Sequence, residues 1–156
     1  MLMNLLIGCT TVFVSMTIQV MAVVITLRYV MNIVNREDRK SDGFAINTYV
    51  ISVVLVMLFG GHLLQAAFWA ILFIYLGEFT DFLTAYYHST VNFASLGYGD
   101  IVMSEKWRLL GALEASNGVL MFGLSAGTLL SVMSKLFSDQ TSNFKVRNQR
   151  NQDTDR

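Results

Sequence analysis

The residues with the most distinctive chemical spacing form one short segment, in which two glycines flank a tyrosine and an aspartate follows. The segment is residues 95–100, Ser-Leu-Gly-Tyr-Gly-Asp. Glycine adopts backbone conformations that other residues resist, and aspartate adds a negative charge. Elsewhere the sequence offers no nucleophile–base set and no metal-ligand cluster, and the single cysteine, Cys9, allows no internal disulfide. Neither an enzymatic activity nor a bound cofactor is therefore expected.

The composition indicates a membrane protein. Of the 156 residues, 54% are hydrophobic and only 14% are charged, whereas a soluble domain has about 25% charged residues. Mean hydropathy is +0.51. The formal net charge is zero, which argues against a nucleic-acid partner.

Three apolar runs are long enough to cross a bilayer, since a spanning helix needs about 20 residues. They lie at residues 5–27, 49–76 and 107–137, and none contains proline. The first run follows no basic region and precedes a charged stretch, so we interpret it as a retained helix and not as a cleaved signal peptide. The sequence thus predicts an all-α protein with three transmembrane helices.

The basic residues predict the orientation of these helices. Nine of the eleven lie between the first two runs, at the end of the third run or after it: Arg28, Arg36, Arg39, Lys40, Lys135, Lys145, Arg147, Arg150 and Arg156. Basic residues favour the cytoplasmic side. We therefore expect a multi-pass protein of the cell membrane with its N-terminus outside, its C-terminus in the cytoplasm and residues 77–106 outside.

The outer segment contains an aromatic, amphipathic stretch at residues 82–93 that is too short to span. Asp81 precedes it and has the chemistry of a helix N-cap. We predict a helix that enters the membrane and stops partway, followed by the glycine-bearing loop. Non-helical backbone at that depth is tolerated only inside protein or beside a water-filled cavity, so this arrangement suggests a pore.

Residues 82–137 resemble the pore module of potassium channels, in which a pore helix, a T-V-G-Y-G-D-like selectivity filter and an inner helix follow one another. Here the filter is S-L-G-Y-G-D. With an outer helix at 49–76, the resemblance covers about the last two-thirds of the chain. The additional first helix makes the chain similar to small bacterial two-pore-domain-like potassium channel proteins.

The resemblance implies four segments: an N-terminal transmembrane helix at 1–28, a cytoplasmic loop at 29–48, a pore module at 49–137 and a polar, mobile cytoplasmic tail at 138–156. Within the pore module, the outer helix is 49–76, the pore helix 81–94, the filter 95–100 and the inner helix 107–137. The first helix and the cytoplasmic segments are the candidate sites for a regulatory partner.

The resemblance also implies a mechanism, which is the established one for potassium channels. Backbone carbonyls of the filter replace the water around K⁺, the permeant ion, and glycines 97 and 99 permit the required backbone. One chain supplies a quarter of each ring of oxygens, so a homotetramer with a closed heterologous interface is expected. The implied K⁺ ligands are Ser95, Leu96, Gly97 and Tyr98, with Gly99 completing the filter and Asp100 at its outer mouth.

Two residues depart from the family pattern. Ser95 replaces the usual threonine, and Val91 lies where some members carry a buried glutamate that pairs with the filter aspartate. Asp100 must then have another partner, and the nearby candidates are Tyr86, Tyr87 and His88. The ring of Tyr98 is expected to pack against the pore helix.

The inner helix has a small-residue pattern. Gly118 falls at the hinge glycine of the family, although simple small-residue packing is an equal alternative. By resemblance, the residues that line the cavity and its apolar inner gate are Gly118, Val119, Phe122, Gly123, Ala126 and Leu130.

Three polar residues lie inside predicted membrane helices, where such residues are costly and mark candidate functional sites. Glu114 has three interpretations: it braces the filter from behind, it faces the cavity and attracts cations, or it is a packing residue. Asn117 lies on the same face. His62 either senses pH or hydrogen-bonds to a neighbouring helix.

Other functions stay open at this point. A non-selective cation channel shares the architecture, and a non-conducting accessory subunit would need no intact filter. A potassium transporter would normally need four pore units in one chain, and only one is present.

Overall fold

The computed structural model describes the backbone of residues 2–36 and 43–154 and the side chains of residues 2–33 and 44–138. Four helices make up this part of the chain: α1 (Leu2–Arg36), α2 (Gly43–Tyr75), α3 (Phe82–Phe93) and α4 (Arg108–Thr154). Three of them contain a stretch long and apolar enough to cross a membrane, namely Leu2–Ile33, Phe44–Tyr75 and Arg108–Ser138. The predicted all-α multi-pass membrane fold is confirmed.

The helices extend further than the sequence predicts. Helix α1 continues to Arg36 and α2 begins at Gly43, so most of the loop predicted at 29–48 is helical, and its residues 37–42 lie outside the described part. Helix α4 continues through the tail predicted at 138–156 as far as Thr154. No glycine or proline follows residue 127, so nothing in the sequence ends this helix where its apolar run ends.

Two apolar clusters hold the three long helices together. One joins α1, α2 and α4 toward the end of the molecule where α1 ends, through Val30, Val50, Val54, Leu58, Val132 and Leu136. The other lies at the opposite end, around the short helix: Trp69, Phe73, Phe93, Trp107, Leu110 and Met121. The second cluster fixes α3 between α2 and α4.

A tight turn between α2 and α3 sets the position of the short helix. The N–H groups of Gly77 and Glu78 donate to the carbonyls of Ile74 and Phe73, which is the Schellman arrangement, and Gly77 has the positive φ of 74° that it requires. As predicted, Asp81 caps α3: its carboxylate accepts the Thr84 N–H at 2.9 Å. The chain thus reverses direction within six residues.

Candidate functional site: the loop after the short helix

The loop that follows α3 begins with backbone hydrogen bonds to the last turn of that helix. The Ser95 N–H donates to the Asn92 carbonyl at 2.8 Å, and the Leu96 N–H donates to the Val91 carbonyl at 2.9 Å. Residues 95, 97 and 99 then have φ values of 57°, 58° and 74°. Alternate residues of the loop therefore have left-handed backbone. Successive carbonyls consequently do not alternate between two opposite directions as they do in an ordinary strand.

Ser95 is the residue of this series that the sequence did not indicate. Two of the three positions are glycines, for which positive φ has little cost. Ser95 carries a Cβ, and a non-glycine residue held in this region costs on the order of 1–3 kcal/mol. Positive φ recurs at every second residue, at 97 and 99, and Ser95 lies two residues before Gly97. This spacing is the signal from which the conformation of Ser95 could have been predicted.

The loop residues are exposed in the single subunit. Leu96 is 54% exposed and Tyr98 is 65% exposed. The expected packing of the Tyr98 ring on the pore helix is therefore not made to any large extent within one chain. Non-helical backbone inside a bilayer has to be covered by protein or to face a water-filled cavity.

Asp100 has a definite partner. The Tyr87 hydroxyl donates to Asp100 Oδ2 at 2.7 Å, and the Ile101 N–H donates to Oδ1 at 3.0 Å. The hydrogen bond from Tyr87 is the largest influence that lowers the pKa of Asp100, and the same bond raises the pKa of Tyr87. Among the three candidates from the sequence, the structure thus places Tyr87 against the carboxylate.

A chain of polar contacts runs behind the loop. His88 Nδ1 lies 3.2 Å from the Ile101 carbonyl oxygen, and His88 Nε2 lies 3.2 Å from Asn92 Nδ2. Asn92 Nδ2 donates in turn to Glu114 Oε2 at 3.4 Å. These contacts therefore connect the segment after Asp100 with α4 through the short helix α3.

Glu114 is fully buried, with 0% of its surface exposed. It faces Asn92 and not the exposed side of α4, which favours a place behind the loop over a place that faces a cavity. Its Oε1 has no hydrogen-bond partner among the described residues. A place behind the loop remains compatible with both the bracing and the packing interpretations.

Gly118 lies against the end of α3. A Cβ at this position would lie 1.9 Å from the Phe93 carbonyl oxygen and 2.8 Å from the carbonyl carbon. No side chain fits between two backbones at this distance, so α3 and α4 can approach this closely only because residue 118 is glycine. The close contact gives Gly118 a packing role whether or not the helix also bends there.

The other predicted cavity residues lie on the open side of α4. Val119 and Leu130 are 59% and 63% exposed, and Gly123 and Ala126 are also exposed. Phe122 differs from them because its ring centroid lies 4.5 Å from that of His62 and 5.9 Å from that of Phe93. The Phe122 ring thus contacts two other rings of the same subunit.

The remaining two predicted polar residues contact other helices. His62 Nε2 lies 3.1 Å from Ser125 Oγ on α4, which is the helix–helix hydrogen bond that was one of its two interpretations. Asn117 Nδ2 donates to Ser15 Oγ on α1 at 2.7 Å. Sequence reasoning did not single out Ser15 or its neighbour Gln19, although two polar residues four positions apart in an apolar run are a signal of a shared buried face.

Comparisons with known proteins agree with this geometry. Residues 43–135 match the family described as "Ion channel", and this range covers more than half of the chain, from the start of α2 to the apolar part of α4. Helix α1 lies before it. Neither the comparison with curated proteins nor that with solved structures gives a significant match. Between residues 43 and 135 the helices, the loop and the family match coincide, and the chain belongs to the ion channel family.

Proposed function

We propose that this ion channel conducts K⁺ selectively and passively across the membrane, and that residues 95–100 are its filter. The observation that carries the proposal is the positive φ at alternate residues 95, 97 and 99, directly after a short helix. This backbone pattern supports a row of carbonyls that point to one side, which is the chemistry a dehydrated cation needs.

In the proposed mechanism the carbonyls of Ser95, Leu96, Gly97 and Tyr98 replace the hydration shell of K⁺. The Ser95 hydroxyl adds the innermost oxygen. Several sites in a row let one ion displace the next, so that binding is strong enough for entry and weak enough for exit. The carboxylate of Asp100, whose pKa is lowered by the hydrogen bond from Tyr87, attracts cations to the outer mouth.

A homotetramer is part of the proposal, since one chain contributes only one side of each oxygen ring. The exposed loop, with Leu96 and Tyr98 more than half exposed, supports it because neighbouring subunits would cover these side chains. The open face of α4, with Val119 and Leu130, would then line the cavity. The C-terminus of α3 would direct its negative dipole end toward the cavity and stabilise a cation there.

We also propose that the N-terminus lies outside and the C-terminus in the cytoplasm. The distribution of basic residues supports this orientation. A contact between the Asn4 side chain and the Lys106 carbonyl supports it as well, because it keeps the beginning of α1 on the same side as the segment that carries the filter.

Reconstitution of the purified full chain into liposomes tests the proposal. We expect a K⁺ flux that Ba²⁺ blocks and, in a K⁺/Na⁺ gradient, a reversal potential close to the equilibrium potential of K⁺. Equal K⁺ and Na⁺ currents would instead indicate a non-selective cation channel. A protein that is folded and tetrameric but carries no flux under any applied voltage or pH would indicate an accessory subunit.

A Gly97→Ala variant is the matched control for this experiment. Residue 97 needs a φ of 58°, which alanine resists, whereas nothing lies within 4 Å of the added Cβ. The substitution therefore strains the filter backbone without a clash in the subunit. We expect a loss of selectivity or of current while the helical content is retained.

A further inference from the structure

Six buried polar side chains from the three membrane-spanning helices are joined in one series of hydrogen bonds, which we call the polar relay. Its members, in order, are Asn117, Ser15, Gln65, Gln19, Ser125 and His62. All six are buried. The relay is separate from the filter loop, and two of its members belong to α1, which lies outside the matched channel range.

The bonds of the relay are short and pass back and forth between helices. Asn117 Nδ2 donates to Ser15 Oγ at 2.7 Å, and the Ser15 hydroxyl donates to Gln65 Oε1 at 2.6 Å. Gln65 Nε2 donates to Gln19 Oε1 at 2.6 Å, and Gln19 Nε2 donates to Ser125 Oγ at 2.7 Å. Helix α1 therefore holds α4 at two points and α2 at a third.

The two points on α4 are well placed to fix its orientation. Asn117 and Ser125 are eight residues apart, which is about 12 Å along a helix, and Met121 is buried between them on the same face. A single attachment would leave the helix free to rotate or tilt about it. Because two attachments lie about two turns apart, either motion has to lengthen at least one of the hydrogen bonds.

Apolar contacts alone would hold the helices less specifically. Between membrane helices, lipid tails are as apolar as leucine, so apolar packing gives little preference for one rotation. Hydrogen bonds are directional and select one register. Each interhelical hydrogen bond is nevertheless modest in a membrane, and its loss changes an equilibrium by about threefold on average. The relay can thus bias the position of α4 without locking it.

We propose that α1 is a positioning element of the channel: through Ser15 and Gln19 it sets the rotation and tilt of α4 and so the fraction of time that the pathway is open. The inference rests on the proposed function in one respect, namely that α4 lines the pathway. It assigns no role to α1 in ion selectivity, because no member of the relay belongs to the filter.

Single-channel recordings of the reconstituted full-length protein test this role. Two variants break the relay at its α1 members, Ser15→Ala and Gln19→Met, and the second keeps the approximate shape of the side chain. The matched control is Thr17→Val, since Thr17 is exposed and its hydroxyl donates to the Phe13 carbonyl of its own helix at 2.9 Å.

We expect both relay variants to change the ratio of open to closed time by at least threefold. Thr17→Val should stay within twofold of the wild type. Unitary conductance and reversal potential should be unchanged in all three, because the filter is untouched. Gln19→Met combined with Ser125→Ala should change the ratio by less than the product of the single effects, since the two residues share one bond.

A purely structural role gives a different result. It would lower the thermal midpoint of the relay variants and leave the ratio of open to closed time within twofold of the wild type, and this outcome overturns the inference. If Gln19→Met does not fold, Ser15→Ala, which removes one hydroxyl only, decides the question.

A second measurement separates this inference from the proposed function. A wild-type protein that carries no current contradicts the proposed function. In that case, the rate of amide hydrogen exchange of residues 115–130 in detergent tests whether α1 positions α4. Faster exchange in Gln19→Met than in Thr17→Val supports the positioning role. Equal exchange rates overturn it.

Discussion

Tyr87 and Asp100 illustrate how one hydrogen bond can set the charge at the mouth of the loop. The bond joins the Tyr87 hydroxyl to Asp100 Oδ2 at 2.7 Å. Because Tyr87 donates to the ionised carboxylate, the charged form is favoured and the pKa of Asp100 is lowered. The stabilisation is present above the ordinary pKa of aspartate and is lost as pH falls through the lowered pKa.

Removal of this bond should therefore make the channel more sensitive to acid. In Tyr87→Phe, we expect the external pH of half-maximal current to move upward from its wild-type value, toward the ordinary pKa of aspartate, with no difference between the proteins at pH 7. Currents recorded during an external pH titration measure the shift. The matched control is Tyr86→Phe, because Tyr86 stacks on Phe82 at 5.7 Å. A larger shift in Tyr86→Phe would contradict the assignment.

Glu114 can be tested in a similar way. Its Oε2 accepts the Asn92 amide at 3.4 Å, and Asn92 contacts His88 behind the loop. If this series braces the filter, Glu114→Ala should lower the K⁺/Na⁺ permeability ratio several-fold, because Asn92 loses its acceptor. Glu114→Gln keeps an acceptor oxygen and should stay close to the wild type. Equal permeability ratios in Glu114→Ala and in the wild type would favour the packing interpretation.

At the scale of elements, the contact between α3 and α4 depends on the absence of a side chain at Gly118. Gly118→Ala would bring a Cβ to within 1.9 Å of the Phe93 carbonyl oxygen, so the helices must separate. Overpacking of this kind typically costs about 1–3 kcal/mol. We expect a lower thermal midpoint and a disturbed filter, measured by circular dichroism in detergent and by the reversal potential.

Gly123→Ala is the control for this prediction. Nothing lies within 4 Å of a Cβ at residue 123 within the subunit, and alanine is the better helix former by about 1 kcal/mol. Its thermal midpoint should equal or exceed that of the wild type. A smaller loss in Gly118→Ala than in Gly123→Ala would show that the close approach is not needed.

The sequence predicts the elements well wherever one local property determines them. Long apolar runs indicate the three membrane helices, and Asp81 indicates where α3 begins. The long helices continue beyond the apolar runs, since low hydropathy alone does not end a helix, and α4 has no glycine or proline after residue 127. Hydropathy reports the solvent around a residue and not its backbone conformation.

Contacts between distant residues are the part that the sequence could not supply. Tyr86, Tyr87 and His88 are consecutive residues at similar distances from Asp100 along the chain, and only the path of the loop selects Tyr87. The pairing of Ser15 with Gln65 and Asn117 spans 50 and 102 positions. Burial of Glu114 similarly depends on α3, which no local pattern on α4 reveals.

At the scale of the whole molecule, ion binding and assembly should be linked. In the proposed tetramer K⁺ binds between four chains, so it stabilises the assembled state and not the separate subunits. Replacement of K⁺ by Na⁺ should therefore lower the temperature at which the tetramer dissociates in detergent. The free energy lost is about 3 kcal/mol if the K⁺ concentration is 100 times the dissociation constant. Gel electrophoresis after heating measures this change.

The control is again Gly97→Ala, whose tetramer should dissociate at the same temperature in K⁺ and in Na⁺. A protein that is monomeric in mild detergent at all K⁺ concentrations would contradict the tetramer. A wild-type tetramer with equal stability in the two ions would contradict selective binding in the filter.

The polar relay also has a consequence for how the chain is built into the membrane. Ser15 and Gln19 enter the bilayer first, and an unsatisfied polar side chain in hydrocarbon is costly. Gln65 on α2 can satisfy both of them through its oxygen and its amide before any of α4 has been synthesised. Biogenesis should therefore pass through a paired α1–α2 hairpin that awaits the last helix, with Ser15 and Gln19 as its docking points. A crosslink between cysteines at residues 15 and 65 in ribosome-bound chains that lack α4 would capture this intermediate.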